Sequence, residues 1–155
     1  MLIQIDTREK REAIGNIIRE FNRAGVEYIR SKLYVGDYMS FDNPRLVIDR
    51  KKSIRELATN ATSGRKRVEA ELGRAKKAGI DVIFLVEESS IDGKPIQDYS
   101  DIMDWKPRSG QGTISGYRVY KTLAAWEYHF GARFEFCKRS QTGQRIIDLL
   151  GGGNG

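Results

Sequence analysis

The run Val82-Ile83-Phe84-Leu85-Val86 narrows most what this chain can fold into. So short an apolar stretch, with no polar alternation, fits a strand buried on both faces, and such a strand needs helices above and below its sheet. The helices are visible as periodicity. Ile14, Ile17, Ile18 and Phe21 recur at helical spacing and stop at Gly25. Val68, Leu72 and Ala75 form a narrow apolar stripe in the charged segment 65–78. Residues 113–130 carry Ile114, Tyr117, Tyr120, Leu123, Ala124 and Phe130 as a long, largely buried helix ended by Gly131. Residues 2–5, 26–29 and 133–137 read as strands, and 144–150 as a last helix. Strands alternating with helices predict an α/β fold, a central sheet covered on both faces. A chain of 155 residues suits one domain, taken as 1–150, with the glycine-rich tail 151–155 expected to be disordered. Residues 89–112 are polar, turn at Asp92-Gly93, and read as a long functional or mobile loop.

Chemistry concentrates between Gly36 and Glu56. Residues 38–41 and 46–50 are β-prone and flank Asp42-Asn43-Pro44, which predicts a hairpin. With the turn centred on Asn43, Asp37 faces Asp49, their β-carbons about 4.5–5.5 Å apart. Like charges so placed destabilise a sheet unless a cation neutralises them. Strand alternation puts Lys51 on the Asp49 face and turns Arg50 away. Two carboxylates and a lysine suit Mg²⁺, which takes hard oxygen ligands and keeps water in the rest of its octahedron. Such an ion polarises a phosphate oxygen and acidifies a bound water. Lys51 would orient or deprotonate that water, or offset charge at phosphorus.

Net charge is +6 and the pI about 9.5, which favours a polyanionic partner, most commonly nucleic acid. The single cysteine, Cys137, excludes an internal disulfide and a zinc cluster and reads as a small buried apolar group. No run is long enough to span a membrane and no signal peptide is visible, so a reducing cytoplasm is the expected location.

Ile5-Asp6-Thr7-Arg8-Glu9, Val35-Gly36-Asp37-Tyr38 and Val47-Ile48-Asp49-Arg50-Lys51 follow one another in an order that resembles the XPF-type nuclease domain, within the wider PD-(D/E)XK group. The likeness continues through residues 64–67, 82–87 and 129–137, and its compact form looks like domains encoded by phages and prokaryotes. The resemblance implies a restriction-endonuclease-like three-layer core and Mg²⁺- or Mn²⁺-dependent cleavage of DNA, branched or flapped rather than plain duplex. It implies catalytic roles for Asp37, Asp49, Lys51 and Arg50, puts Asp6 with Asp37 and Asp49 at the metal, and sets Arg8 near phosphate. Arg8 taken alone reads as a surface pair with Glu9 or Glu12. For a phage-encoded chain the location would be the host cytoplasm. Family members commonly pair protomers and append a helix-hairpin-helix module. This sequence carries none, so tight structure-selective binding would need a homodimer or a partner protein to supply that surface.

Two positions depart from the pattern. Asp49 stands where the family has glutamate. The family aspartate four residues after the lysine is replaced by Arg55. Counting Lys52 as an insertion gives that role to Glu56, which otherwise closes a capping box with Ser53. A catalytically inactive DNA-binding scaffold of the same fold is therefore the alternative to an enzyme, and an RNA-processing nuclease is a third. Among other charges, Arg65 or Arg67 is expected to touch DNA, with Lys66, Arg74, Lys76 and Lys77 as solvated neighbours. Lys106 and Arg108 lie beside Trp105, which would stack on an unpaired base or pack in the core. Glu87 reads as a local hydrogen-bond acceptor, and His129 as a packed helix residue without metal.

Overall fold

The computed structural model describes residues 1–109 and 112–152; the last part of the expected disordered tail, 153–155, lies outside them. In chain order the elements are β1 (Leu2–Ile5), α1 (Gly15–Arg23), β2 (Glu27–Arg30), β3 (Tyr38–Ser40), β4 (Asn43–Lys51), α2 (Ile54–Ala61) and α3 (Arg65–Lys77). There follow β5 (Asp81–Val86), the small hairpin of β6 (Ser90–Ile91) and β7 (Lys94–Pro95), a 3₁₀ turn at Tyr99–Asp104, α4 (Gly116–Phe130), β8 (Arg133–Phe136) and α5 (Thr142–Leu150). Among the described residues, no helix is long and apolar enough to cross a membrane.

The main sheet has six strands in the order β2-β1-β3-β4-β5-β8. β1 pairs parallel with β2, β4 with β5 and β5 with β8, while β3 runs antiparallel to both β1 and β4. Five strands thus share one direction and β3 opposes them. The carboxyl ends of β1, β4 and β5 and the start of β3 consequently meet at one edge.

Five of the six β5 residues are buried. Val82, Phe84 and Val86 pack under α2, α3 and α4 together with Val47, Leu57, Leu72 and Leu123. Ile83 and Leu85 pack on the other face against Ile3, Ile17, Phe21, Ile48 and Ile146, under α1 and α5. Burying those five side chains contributes on the order of 10 kcal/mol, gross of the chain entropy it opposes. This is the three-layer α/β arrangement expected from the apolar run.

Several expectations shift. The hairpin turn is tighter than a centre at Asn43: Ser40 pairs with Asn43. The ladder then jumps to Met39↔Val47 and Tyr38↔Ile48, passing over residues 44–46 on β4. The β-bulge absorbs the difference, so the inner register is the one in which Asp37 lies opposite Asp49. The segment 89–112 is no bare loop, since it holds β6, β7 and the 3₁₀ turn, whose Asp98 and Asp101 side chains cap its first backbone N–H groups. α4 starts at Gly116, with the Ser115 hydroxyl accepting from Arg118 N. Its buried residues include Val119, Leu123 and Trp126, whereas Tyr117 is 58% exposed. His129 is exposed rather than packed. Trp105 is buried in the α2–α4 core.

Candidate active site

Gly36 sets the geometry of the site. Its φ of +76° favours glycine, and a Cβ there would lie 2.9 Å from the Val47 side chain. The chain can therefore pass flat against β4 and deliver Asp37 onto it. Asp37 N donates to Ile48 O at 2.8 Å, Arg50 N donates to Asp37 Oδ2 at 2.8 Å, and Asp6 N donates to Asp37 O at 2.8 Å. The backbone of Asp37 is thus held from both sides, and its carboxylate is held by Arg50 N of β4.

Alternation along β4 sends Asp49 and Lys51 to the α3 face. Lys51 Nζ lies 3.2 Å from Asp49 Oδ1 and 5.8 Å from the centroid of the Phe84 ring. Its ammonium rests on an aromatic floor, with only 8% of the residue exposed. Burial is the largest influence on both acids. Desolvation, then the charges of Asp49 and Glu9, push Asp37 well above the usual carboxylate value. Desolvation also raises Asp49, against the opposing pull of Lys51.

These groups open onto a cleft of about 240 Å³, whose walls include Arg8, Glu56, Arg67 and Glu71. Arg67 and Glu71 lie one turn apart on α3, and Glu71 Oε1 accepts from Gly36 N at 3.3 Å. Glu71 joins Asp37, Asp49, Glu56 and Glu9 among the acids that line the cleft. It was legible only as a residue flanking the Val68–Leu72 stripe, because charges beside an apolar stripe usually face water. Arg65 falls outside the cleft: its Nε bonds Glu69 at 2.8 Å, and Glu69 also accepts from Trp126 Nε1.

Asp6 is fully buried and does not line the cleft. Leu33 N donates to Oδ1 at 2.8 Å, while Arg8 N and Nε donate to Oδ2 at 3.1 and 2.6 Å. Burial would raise its pKa, but the bonds from Arg8 and Leu33 outweigh it and hold the carboxyl below its usual value. Both oxygens being engaged, Asp6 anchors Arg8, whose side chain stays 63% exposed at the cleft.

Arg50 points away from Lys51, as alternation requires. Its guanidinium takes Glu9 bidentately at 2.7 and 3.1 Å and Glu87 at 2.8 Å. Thr142 Oγ1, at the start of α5, donates to the other Glu87 oxygen at 2.6 Å. Glu9 and Glu87 are therefore buried partners of Arg50, and Glu9 does not pair with Arg8. Glu56 N donates to Ser53 Oγ, as in a capping box, but the Glu56 carboxylate accepts from Lys52 N at 3.0 Å and borders the cleft. Lys106 lines a separate hollow with Ile91, Asp101 and Met103, and Arg108 is exposed outside the cleft.

Among the described residues, no group of three or more His, Cys, Asp or Glu is arranged to hold a metal ion. Mg²⁺ needs less from protein: one or two carboxylates, with water and substrate phosphate completing its shell. Asp37 and Asp49, two half-buried carboxylates facing each other, fit that requirement.

No curated protein matches the chain. The model of the ERCC4 domain matches residues 5–150. Among solved structures, the fold is similar to XPF from Aeropyrum pernix, with TM-score 0.69 and 22% identity over 97% of this chain and 63% of that one. It is also similar to XPF from Aeropyrum pernix in complex with DNA, with TM-score 0.67 and 22% identity over 96% and 62%. The architecture is thus the restriction-endonuclease-like one. The family match spans nearly every element described above, from the end of β1 to the end of α5, and on it the chain belongs to the ERCC4 domain family.

Proposed function

We propose that this chain is an endonuclease that hydrolyses DNA phosphodiester bonds with Mg²⁺ or Mn²⁺, and that its substrate is branched or flapped DNA. One observation carries the reading: half-buried Asp37 and Asp49 converge with Lys51 at the floor of a cleft whose rim carries Arg8 and Arg67. Family membership and the likeness to an XPF structure in complex with DNA support it.

Asp37 and Asp49 would hold the ion, with Glu71 offering a further oxygen from α3. Bound there, the ion supplies Lewis acidity to the phosphate and acidity to a water. The protein's own groups do the rest. Arg8, steadied by Asp6, and Arg67 draw a phosphate over the floor and offset its charge. Lys51, beside Asp49, orients the attacking water and balances charge as the oxygen–phosphorus bond forms and the leaving oxygen departs to take up a proton. Arg50 does not touch the reacting atoms; through its backbone N–H it orients Asp37.

The test is cleavage of flap, fork and linear duplex DNA with Mg²⁺ or Mn²⁺, beside Lys51→Ala and Asp37→Asn. Each substitution should lower the rate at least about a hundredfold. Equal activity in wild type and variants would reveal a contaminant and overturn the reading. DNA binding without cleavage would favour a scaffold, the role suggested by Asp49 at the family's glutamate position.

A further inference from the structure

Tyr117 and Tyr120 sit on α4 at positions an apolar stripe would claim, yet the core does not use the first of them. Tyr117 is 58% exposed. Its ring lies 6.5 Å from that of Tyr120 with 29° between the planes, and Tyr120 lies 5.7 Å from Tyr99 at 27°. Tyr99 meets Phe134, which stacks on Phe84, the ring beneath Lys51. A chain of ring contacts thus runs from beneath Lys51 to solvent, its outer three rings stacked and its Tyr99–Phe134 link tilted by 57°.

Cations border its outer end. Lys121 Nζ lies 5.6 Å from the Tyr117 centroid, and Arg118 is exposed beside it. From Trp105 to Trp126 the sequence has four cations and no aspartate or glutamate, in a chain whose residues are 31% charged. The acids resume at Glu127, which accepts from the Tyr99 hydroxyl at 3.0 Å and marks the inner limit of the strip. An exposed aromatic ring edged by cations, with the nearest acids at the Tyr99 end, is matched by unpaired nucleotides: bases stack on the ring and phosphates take the cations. A paired duplex hides its base faces and offers only the phosphates.

We propose that Tyr117, backed by Tyr120 and edged by Arg118 and Lys121, is a stacking site for single-stranded DNA. This rests on the nuclease reading for its role: the strip takes the unpaired arm of a branched substrate whose phosphodiester lies in the cleft. The buried Trp105 leaves the stacking to Tyr117.

Fluorescence anisotropy in EDTA, where no cleavage occurs, tests it with the full chain, a labelled oligothymidylate and a labelled blunt duplex. Tyr117→Ala should weaken oligothymidylate binding about tenfold, the worth of one base–aromatic stack, and leave duplex binding unchanged. Tyr117→Phe should bind like wild type, and Lys121→Glu should lose single-strand affinity. Unchanged oligothymidylate binding in Tyr117→Ala, or an equal loss on duplex, overturns the proposal. Thermal unfolding reports whether each variant is folded; should Tyr117→Ala unfold, Lys121→Glu decides between the same outcomes. Cleavage of flap and fork DNA by wild type in Mg²⁺ or Mn²⁺ is read separately. Its absence with Tyr117-dependent binding intact refutes the nuclease reading alone, and its presence without such binding refutes the strip alone.

Discussion

Asp37 is held where a carboxylate is poorly solvated, opposite Asp49 and near Glu9, and its proton affinity records this. A carboxyl raised in the folded state adds stability that is complete below its ordinary value of 3.8 and is lost as pH rises through the raised value. In EDTA, Asp37→Asn should therefore melt above wild type at neutral pH, and the gap should close on acidification. Asp6 is shifted the other way, so its contribution is lost as pH falls, but it is common to both proteins and cancels. Melting curves across this pH range check the expectation, and a gap that widens toward acid would refute it. Much of this residue-level chemistry was legible beforehand: alternation alone separates Lys51 from Arg50. Glu9 and Glu71 were not, since their partners Arg50 and Gly36 lie forty-one and thirty-five residues away.

Elements meet through a few contacts that sequence periodicity does not encode. Arg50 joins the turn after β1, the end of β5 and, through Glu87 and Thr142, the start of α5. Arg50→Ala would leave Glu9 and Glu87 buried without their cation, and urea unfolding should show a loss of about 3–5 kcal/mol. A loss under about 1 kcal/mol would mean that water relieves both acids. Gly116 is a second such contact. A Cβ there would stand 2.2 Å from Ile102 O and 2.5 Å from Trp105 O, both backbone atoms. Gly116→Ala must lift α4 from the 3₁₀ turn, at about 1–3 kcal/mol, and should speed amide exchange across Tyr99–Asp104. The expectation of a helix from residue 113 with Tyr117 buried failed for this reason: the close approach at Gly116 sets where the helix starts and which face it turns inward.

At the scale of the molecule, the excess of six positive charges is spread widely, but only Arg8 and Arg67 among the expected DNA contacts stand at the cleft. Duplex affinity should fall with salt, and replacing both by alanine should flatten the slope by about two units of log K per log salt. An unchanged slope in such a titration would place the phosphates elsewhere. The sequence by itself determined the layered fold, because an apolar strand without alternation can be buried only between helices. It also determined which β4 side chains share a face, because strand period is local. Tertiary structure alone decided that Asp6 lies buried with Leu33 N on its other oxygen, that Glu71 enters the cleft, that Arg65 turns to α4 and that Tyr117 meets solvent. Those outcomes depend on which elements pack together and how closely, and packing distance is a property of whole surfaces rather than of spacing along the chain.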